Sequence, residues 1–201
     1  MNVPESIRNE KDFQECVKFH GHTCMGVTIG YLAAKLAMKL LEHKRSIDEE
    51  LITIVENDAC CCDAIQVLTG CTFGKGNFFF KDYGKMAFTF GNRSNGKAIR
   101  LLLKPEVFGV PEQEQILLEL IRSSKASPED IKNYETMTET RETDLFSGGP
   151  EAFFDVQDIE MTLPPTASRA PSTPCVICGE MVLQTKLDEV GGQLTCKSCQ
   201  E

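Results

Sequence analysis

Four cysteines near the C-terminus, Cys175, Cys178, Cys196 and Cys199, form two Cys-x2-Cys pairs separated by 17 residues. Thiolates paired in this way close tetrahedrally on a metal, and the spacing is that of a structural zinc site. Rubredoxin-like iron is the main alternative. With sulfur at all four positions, no coordination site is left for a substrate. The stretch "CVICGEMVLQTKLDEVGGQLTCKSC" has too few apolar side chains to bury a core, so metal binding must supply its folding free energy. Gly179 suits a tight knuckle after Cys178, and Gly191-Gly192 suits a hairpin turn.

A second constellation lies in "FHGHTCMG", Phe19 to Gly26, which holds two of the three histidines in the chain beside a thiol. His20, His22 and Cys24 alternate, so an extended segment would turn all three to one side. Cys24 opens a long amphipathic helix, whose N-terminal dipole favours thiolate. Cys60, Cys61 and Cys62 fall in the first turn of another helix, and two thiol-bearing helix ends could converge on one cation. Taken singly, Cys61, Cys62 and Cys71 read as small packed residues, and Cys16 more so. "GCTFGKGN" is not a phosphate loop, because three residues separate its first glycine from Gly74-Lys75 and no Ser or Thr follows. Lys75 can still offer a cation to a small anionic ligand.

The elements that must position these groups can be read from periodicity. A short helix is expected over 10–18, then a long amphipathic helix over 24–44 with Ile29, Leu32, Leu36 and Leu40 on one stripe. Gly26 and Gly30 share a face that would admit another backbone closely. "LITIVEN" reads as a buried strand, and Asp58 as the cap of the helix through "ACCCDAIQVLTG". "NFFFK", "KMAFTF" and "KAIRLLL" follow as three strands in meander. Pro105 and Pro111 bracket a loop, and two helices come after it, Glu112–Ser123 and one capped by Ser127 with Pro128 first. The fold class is α+β: a mixed sheet with flanking helices in a helix–strand–helix–three-strand core, plus a small zinc finger. The domain reading is 1–165, a Pro/Ser/Thr-rich linker over 166–174, and a finger over 175–201.

Composition narrows the function classes. The net charge is −9, with no run of about 18 apolar residues for a membrane span and no signal-like leader, so a cytoplasmic protein is expected. There, ten cysteines argue for metal or thiol chemistry rather than disulfides. Residues 1–104 carry 14 basic and 12 acidic side chains, whereas 105–170 carry 5 and 14. That balance argues against nucleic acid and reads as a solvated acidic helical face.

Together, "FHGHTCMGVTIGYLAA", "ENDACCCDAIQVLTGCTFGKGN", "KDYGKMAFTF" and "NRSNGKAIRLLL" resemble the FmdE family, named for one of the subunits of molybdenum formylmethanofuran dehydrogenase, over residues 12–165. The C-terminal segment resembles a treble-clef or ribbon finger of the DksA/TraR type. The resemblance implies a metal-binding site from His20, His22, Cys24 and Cys60, with Asp63 following it. Met25 stands where the family carries proline, so the helix entry lacks that stiffening. The implied role is a zinc-containing accessory subunit of a molybdenum or tungsten formylmethanofuran dehydrogenase-type oxidoreductase in one-carbon metabolism. Its partners would be oxidoreductase subunits or a second copy in a homodimer. Two alternatives stand beside it. One is a free-standing metalloenzyme, with a second metal in the N-terminal domain and Cys24, Cys60, Asp63 and Lys75 as candidate catalytic groups; the other is a thiol redox sensor.

Overall fold

A computed structural model describes residues 3–167 and 169–201, and the chain divides into two compact units, Met1–Pro165 and Thr166–Glu201. In the first unit the helices α1 (Glu5–Arg8), α2 (Lys11–His20) and α3 (Met25–Leu40) lead into strand β1 (Leu51–Val55). Helix α4 (Cys61–Thr69), a 3-10 turn (Phe73–Lys75) and the strands β2 (Phe78–Phe80), β3 (Ala87–Asn92) and β4 (Ala98–Leu103) follow. Helices α5 (Pro105–Phe108), α6 (Glu112–Arg122), α7 (Pro128–Ser147) and α8 (Pro150–Phe153) come next, and β5 (Phe154–Ile159) completes the sheet.

The fold is α+β with a mixed five-stranded sheet in the order β2-β1-β3-β4-β5. The three strands after α4 do not form the expected meander. β2 lies on the far side of β1 and runs parallel to it, whereas β3 pairs antiparallel with β1's other edge. The cause is α4, which joins β1 to β2 as a crossover; such a connection returns the chain parallel to its starting strand. β5 pairs antiparallel with β4 and is not anticipated by any strand pattern in the sequence. Its exposed run Asp155–Asp158 hides that pattern, and charges of this kind guard an open sheet edge.

Leu51, Val55, Phe88, Phe90, Ile99 and Leu101 point from the sheet into the helical layer and form the core with α3. α3 is buried nearly all round from Val27 to Ala34, because α2, α4, α8 and the sheet surround it. It is a central helix rather than the amphipathic one its stripe suggested. Of the two later helices, α7 carries the full capping box of Ser127 and Asp130. The acidic face is not wholly solvated: Glu114 of α6 is only 2 % exposed and is held by Arg141 and Thr138 of α7. Buried without those partners, it would be an uncompensated charge. No helix among the described residues is long and apolar enough to cross a membrane.

Just beyond β1, Glu56 accepts two hydrogen bonds from Arg100 of β4, at 2.7 and 3.0 Å. The guanidinium holds the Glu56 carboxyl below its ordinary value of 4.5. A depressed carboxyl contributes stability above its unfolded value, and the contribution disappears as pH falls through the folded value. Denaturant midpoints measured from pH 6 to pH 3 should therefore fall more steeply below about 4.5 for wild type than for Glu56→Gln. Parallel curves would show that the pair contributes nothing.

The second unit is built from two hairpins. β6 (Ser172–Pro174) pairs with β7 (Met181–Leu183), and after a 3-10 turn (Gln184–Lys186) β8 (Leu187–Val190) pairs with β9 (Gln193–Cys196). Residues 172–174, which read as the end of the linker, are strand because they pair across the knuckle. Position 168 of that linker lies outside the described residues. Gly191 and Gly192 both adopt positive φ, 61° and 79°, the conformation a two-residue turn between β8 and β9 demands.

Candidate metal centres

Within the second unit the donor atoms of Cys175, Cys178, Cys196 and Cys199 all lie within 4.8 Å of one another. The Cys178 and Cys196 sulfurs are 3.9 Å apart. A tetrahedron with metal–sulfur bonds of about 2.3 Å has sulfur–sulfur edges of about 3.8 Å, so the cluster has the size a metal needs. Backbone groups shape it: Gly179, at φ 75°, donates to the Cys175 carbonyl at 2.9 Å, and the Cys196 amide donates to the Cys175 sulfur at 3.3 Å. The amides of Cys178 and Cys196 bring the Cys175 thiol down to about 6, so it is ready to bind as thiolate. None of the four is in a disulfide. The donor set and spacing fit a bound metal.

In the first unit a three-donor group forms from His20, Cys24 and Cys60, again within 4.8 Å of one another. Three helix ends supply it. His20 is the last residue of α2, Cys24 caps α3 and accepts the Val27 amide at 3.4 Å, and Cys60 stands at the N-cap position of α4 without a side-chain capping bond. The α3 and α4 termini meet because α3 carries glycine where they touch. A Cβ on Gly30 would lie 2.1 Å from the Cys61 carbonyl oxygen, and one on Gly26 2.8 Å from the Cys60 Cβ. α4 also leaves the C-terminal end of β1, a parallel strand, which is where open α/β sheets commonly place their sites.

Asp63, one turn into α4, accepts from His20 Nδ1 at 2.7 Å. A carboxylate can only accept, so this contact places the proton on Nδ1 and leaves the Nε2 lone pair free. Nε2 lies 3.8 Å from the Cys24 sulfur, inside the donor group. This carboxylate–histidine arrangement is the one that orients histidines toward metals. Burial, followed by the adjacent Cys24 thiol, raises the Cys60 thiol above its ordinary value. Two thiolates this close repel, and a cation between them removes the conflict. These residues therefore fit a metal as well.

The remaining candidates fall elsewhere. His22 is exposed and packs its ring against that of His20 at 4.6 Å rather than joining the donors. The cause is Gly21, whose φ of 103° turns the chain between them, so His20 and His22 never share an extended segment. Lys75 is corrected as an anion anchor: its ammonium donates to the carbonyls of Ser46, Ile47 and Asp48, which uses its three protons to brace that loop. Cys16, Cys61 and Cys71 are buried. Burial raises Cys16 to about 12 and pushes Cys71 up as well. Asp58 is not the cap: Cys60 holds the N-cap position of α4 with no side-chain bond to the helix, and Asn57 shapes the turn before it. Asn57 accepts the Ala59 amide and the Cys61 thiol on Oδ1, and donates to the Lys85 carbonyl at 2.7 Å. Its backbone carbonyl accepts the Cys62 thiol at 3.3 Å. Asn57 thus ties the turn before α4 to the chain leading into β3.

The likenesses to known proteins agree with this architecture. A curated protein of Archaeoglobus fulgidus, named "Probable S-adenosyl-L-methionine-binding protein", is 28 % identical over 179 residues, covering 86 % of this chain. The chain spans about half, 49 %, of that relative's length. A crystal structure of an FmdE-like protein from Syntrophus aciditrophicus, described as of the tungsten formylmethanofuran dehydrogenase kind, superimposes with a TM-score of 0.63 at 26 % identity. The match covers 100 % of this chain and 97 % of that one. The model of the family described as "FmdE, Molybdenum formylmethanofuran dehydrogenase operon" matches residues 19–155, from the residue before His20 to the second residue of β5. Both helix ends that carry thiols and most of the sheet lie inside that match, and the chain belongs to the FmdE family.

Proposed function

We propose that this protein is a zinc-bearing accessory subunit working with a molybdenum or tungsten oxidoreductase of one-carbon metabolism. The observation that carries this reading is the end-to-end likeness to an FmdE-like protein of the tungsten formylmethanofuran dehydrogenase kind, finger region included. Zinc fits the Cys175/Cys178/Cys196/Cys199 cluster because four thiolates in a tetrahedron suit a borderline-soft ion with no geometric preference of its own. With no open position, that site is structural. The knuckle around it exposes Val176, Ile177 and Met181, which suits contact with another protein. Affinity purification of the tagged full chain under anaerobic conditions should bring down a larger redox complex. Recovery of the chain alone under those conditions would sink the accessory role.

A second reading is supported by the three-donor group. His20, Cys24 and Cys60 leave a fourth position open, the pattern of catalytic rather than structural metals. A metal there supplies Lewis acidity toward an oxygen-bearing ligand. Asp63 fixes the tautomer of His20, and the N-termini of α3 and α4 favour negative charge on the bound group. This reading expects two metals per chain. Cys24→Ala should lower the count by one, and Asp63→Asn should weaken the second metal by about 10–100-fold, as loss of an orienting carboxylate does elsewhere. A count of one that Cys24→Ala leaves unchanged would exclude it.

A further inference from the structure

A cavity of about 380 Å³ lies between α2, α4 and the 3-10 turn, and none of the three metal donors of this unit lines it. That volume is within the range of small-molecule sites, about 300–1,000 Å³. Two of its walls are phenylalanines at high exposure, Phe19 at 62 % and Phe73 at 83 %, and Val67 of α4 also lines it. Large aromatic rings left in water at a concave surface are a mark of binding. These walls are also held in place. Phe73 donates its amide to Gln66 Oε1 at 3.1 Å, and Arg45 donates Nε to the Val67 carbonyl at 2.9 Å.

That last bond anchors the guanidinium by one nitrogen only. Among the described residues, the two terminal nitrogens of Arg45 have no protein partner. Arg45 is exposed where it lines the cavity, so an anionic group on an occupant would gain charge-assisted hydrogen bonds there that a neutral one would not. Glu15 lines the same cavity and adds negative charge, which disfavours a dianion. We infer that this cavity binds a small planar aromatic monoanion, a carboxylate or sulfonate, with its ring against Phe19 and Phe73 and its charge on Arg45. The inference does not depend on either metal or on the accessory role.

Anilinonaphthalene sulfonate carries a planar naphthalene sulfonate of this kind, and its fluorescence reports binding to the full chain. Wild type should bind it saturably at one per chain, and 2-naphthoate should displace it. Phe73→Ala should weaken it about tenfold, and Arg45→Gln about tenfold as well. A neutral probe, phenylnaphthylamine, should lose affinity with Phe73→Ala but not with Arg45→Gln. Circular dichroism of both variants shows whether the fold is kept. Non-saturable binding, or equal affinities in wild type and folded variants, overturns the inference. So does sedimentation showing a dimer that excludes the probe, since the rings would then be a subunit contact.

Discussion

Replacing Cys178 by serine is expected to unfold residues 166–201 and leave residues 1–165 folded. The unit it belongs to buries few apolar side chains: among its described residues, the buried positions beyond Cys175 and Cys196 include only Thr195. Val176, Ile177, Met181 and Val190 are all exposed. Its strands are three and four residues long, and isolated hairpins of that size are marginal in water. The proposed zinc would be worth about 10–16 kcal/mol of apparent binding free energy at pH 7, which is larger than the stability of many whole domains. Removing one of four thiolates should forfeit most of that. Amide spectra of the full chain would show it: resonances of 166–201 should collapse toward random-coil shifts in Cys178→Ser, and in wild type treated with a strong chelator. Retained dispersion after complete metal removal would mean that the two hairpins fold without it.

The second large effect is expected at Gly30. A methyl there would lie 2.1 Å from the Cys61 carbonyl oxygen and 2.7 Å from the Cys61 Cα, both backbone atoms that cannot swing aside. α3 and α4 would have to separate at the point where their N-termini meet. Overpacking of a core costs about 1–3 kcal/mol, and a backbone collision belongs at or above the upper end. For a unit of this size that is a drop in melting temperature of roughly 6–12 °C. Separation would also pull Cys24 from Cys60, so the three-donor group should lose the spacing a metal needs. Gly74 is the control, because a Cβ there meets nothing within 4 Å. Gly30→Ala melting like Gly74→Ala would show that the helices yield without strain.

Much of the fold is legible in residue order. The strands at "LITIV", "FFF", "AFTFGN" and "AIRLLL" sit where β-branched and aromatic runs place them, because packing and propensity agree there. The Ser127 cap and Pro128 start of α7 are equally plain. β5 is not, because its exposed, acid-containing run carries no alternation for an edge strand to be read from. Pairing is the other loss. Sequence neighbours usually pair, so β2 reads as part of a meander, and only the crossover through α4 sends it beyond β1.

The sites divide in the same way. The four-cysteine cluster is local: its ligands lie on two short knuckles whose spacing is written in the chain, so sequence alone determined which residues meet. The other centre depends on three helix ends brought together over 40 residues. Sequence nominated His20, Cys24 and Cys60, but it also nominated His22, and Lys75 beside them. Only the tertiary structure could separate these. One left-handed glycine, Gly21, turns His22 out to solvent. Three carbonyls of the 46–48 loop capture the ammonium of Lys75. And two glycines on α3 let the Cys60 end of α4 approach closely enough for two sulfurs and one imidazole to share a cation. A local motif fixes its own geometry through short-range backbone turns; a site assembled from distant helices takes its geometry from packing, which no spacing along the chain records.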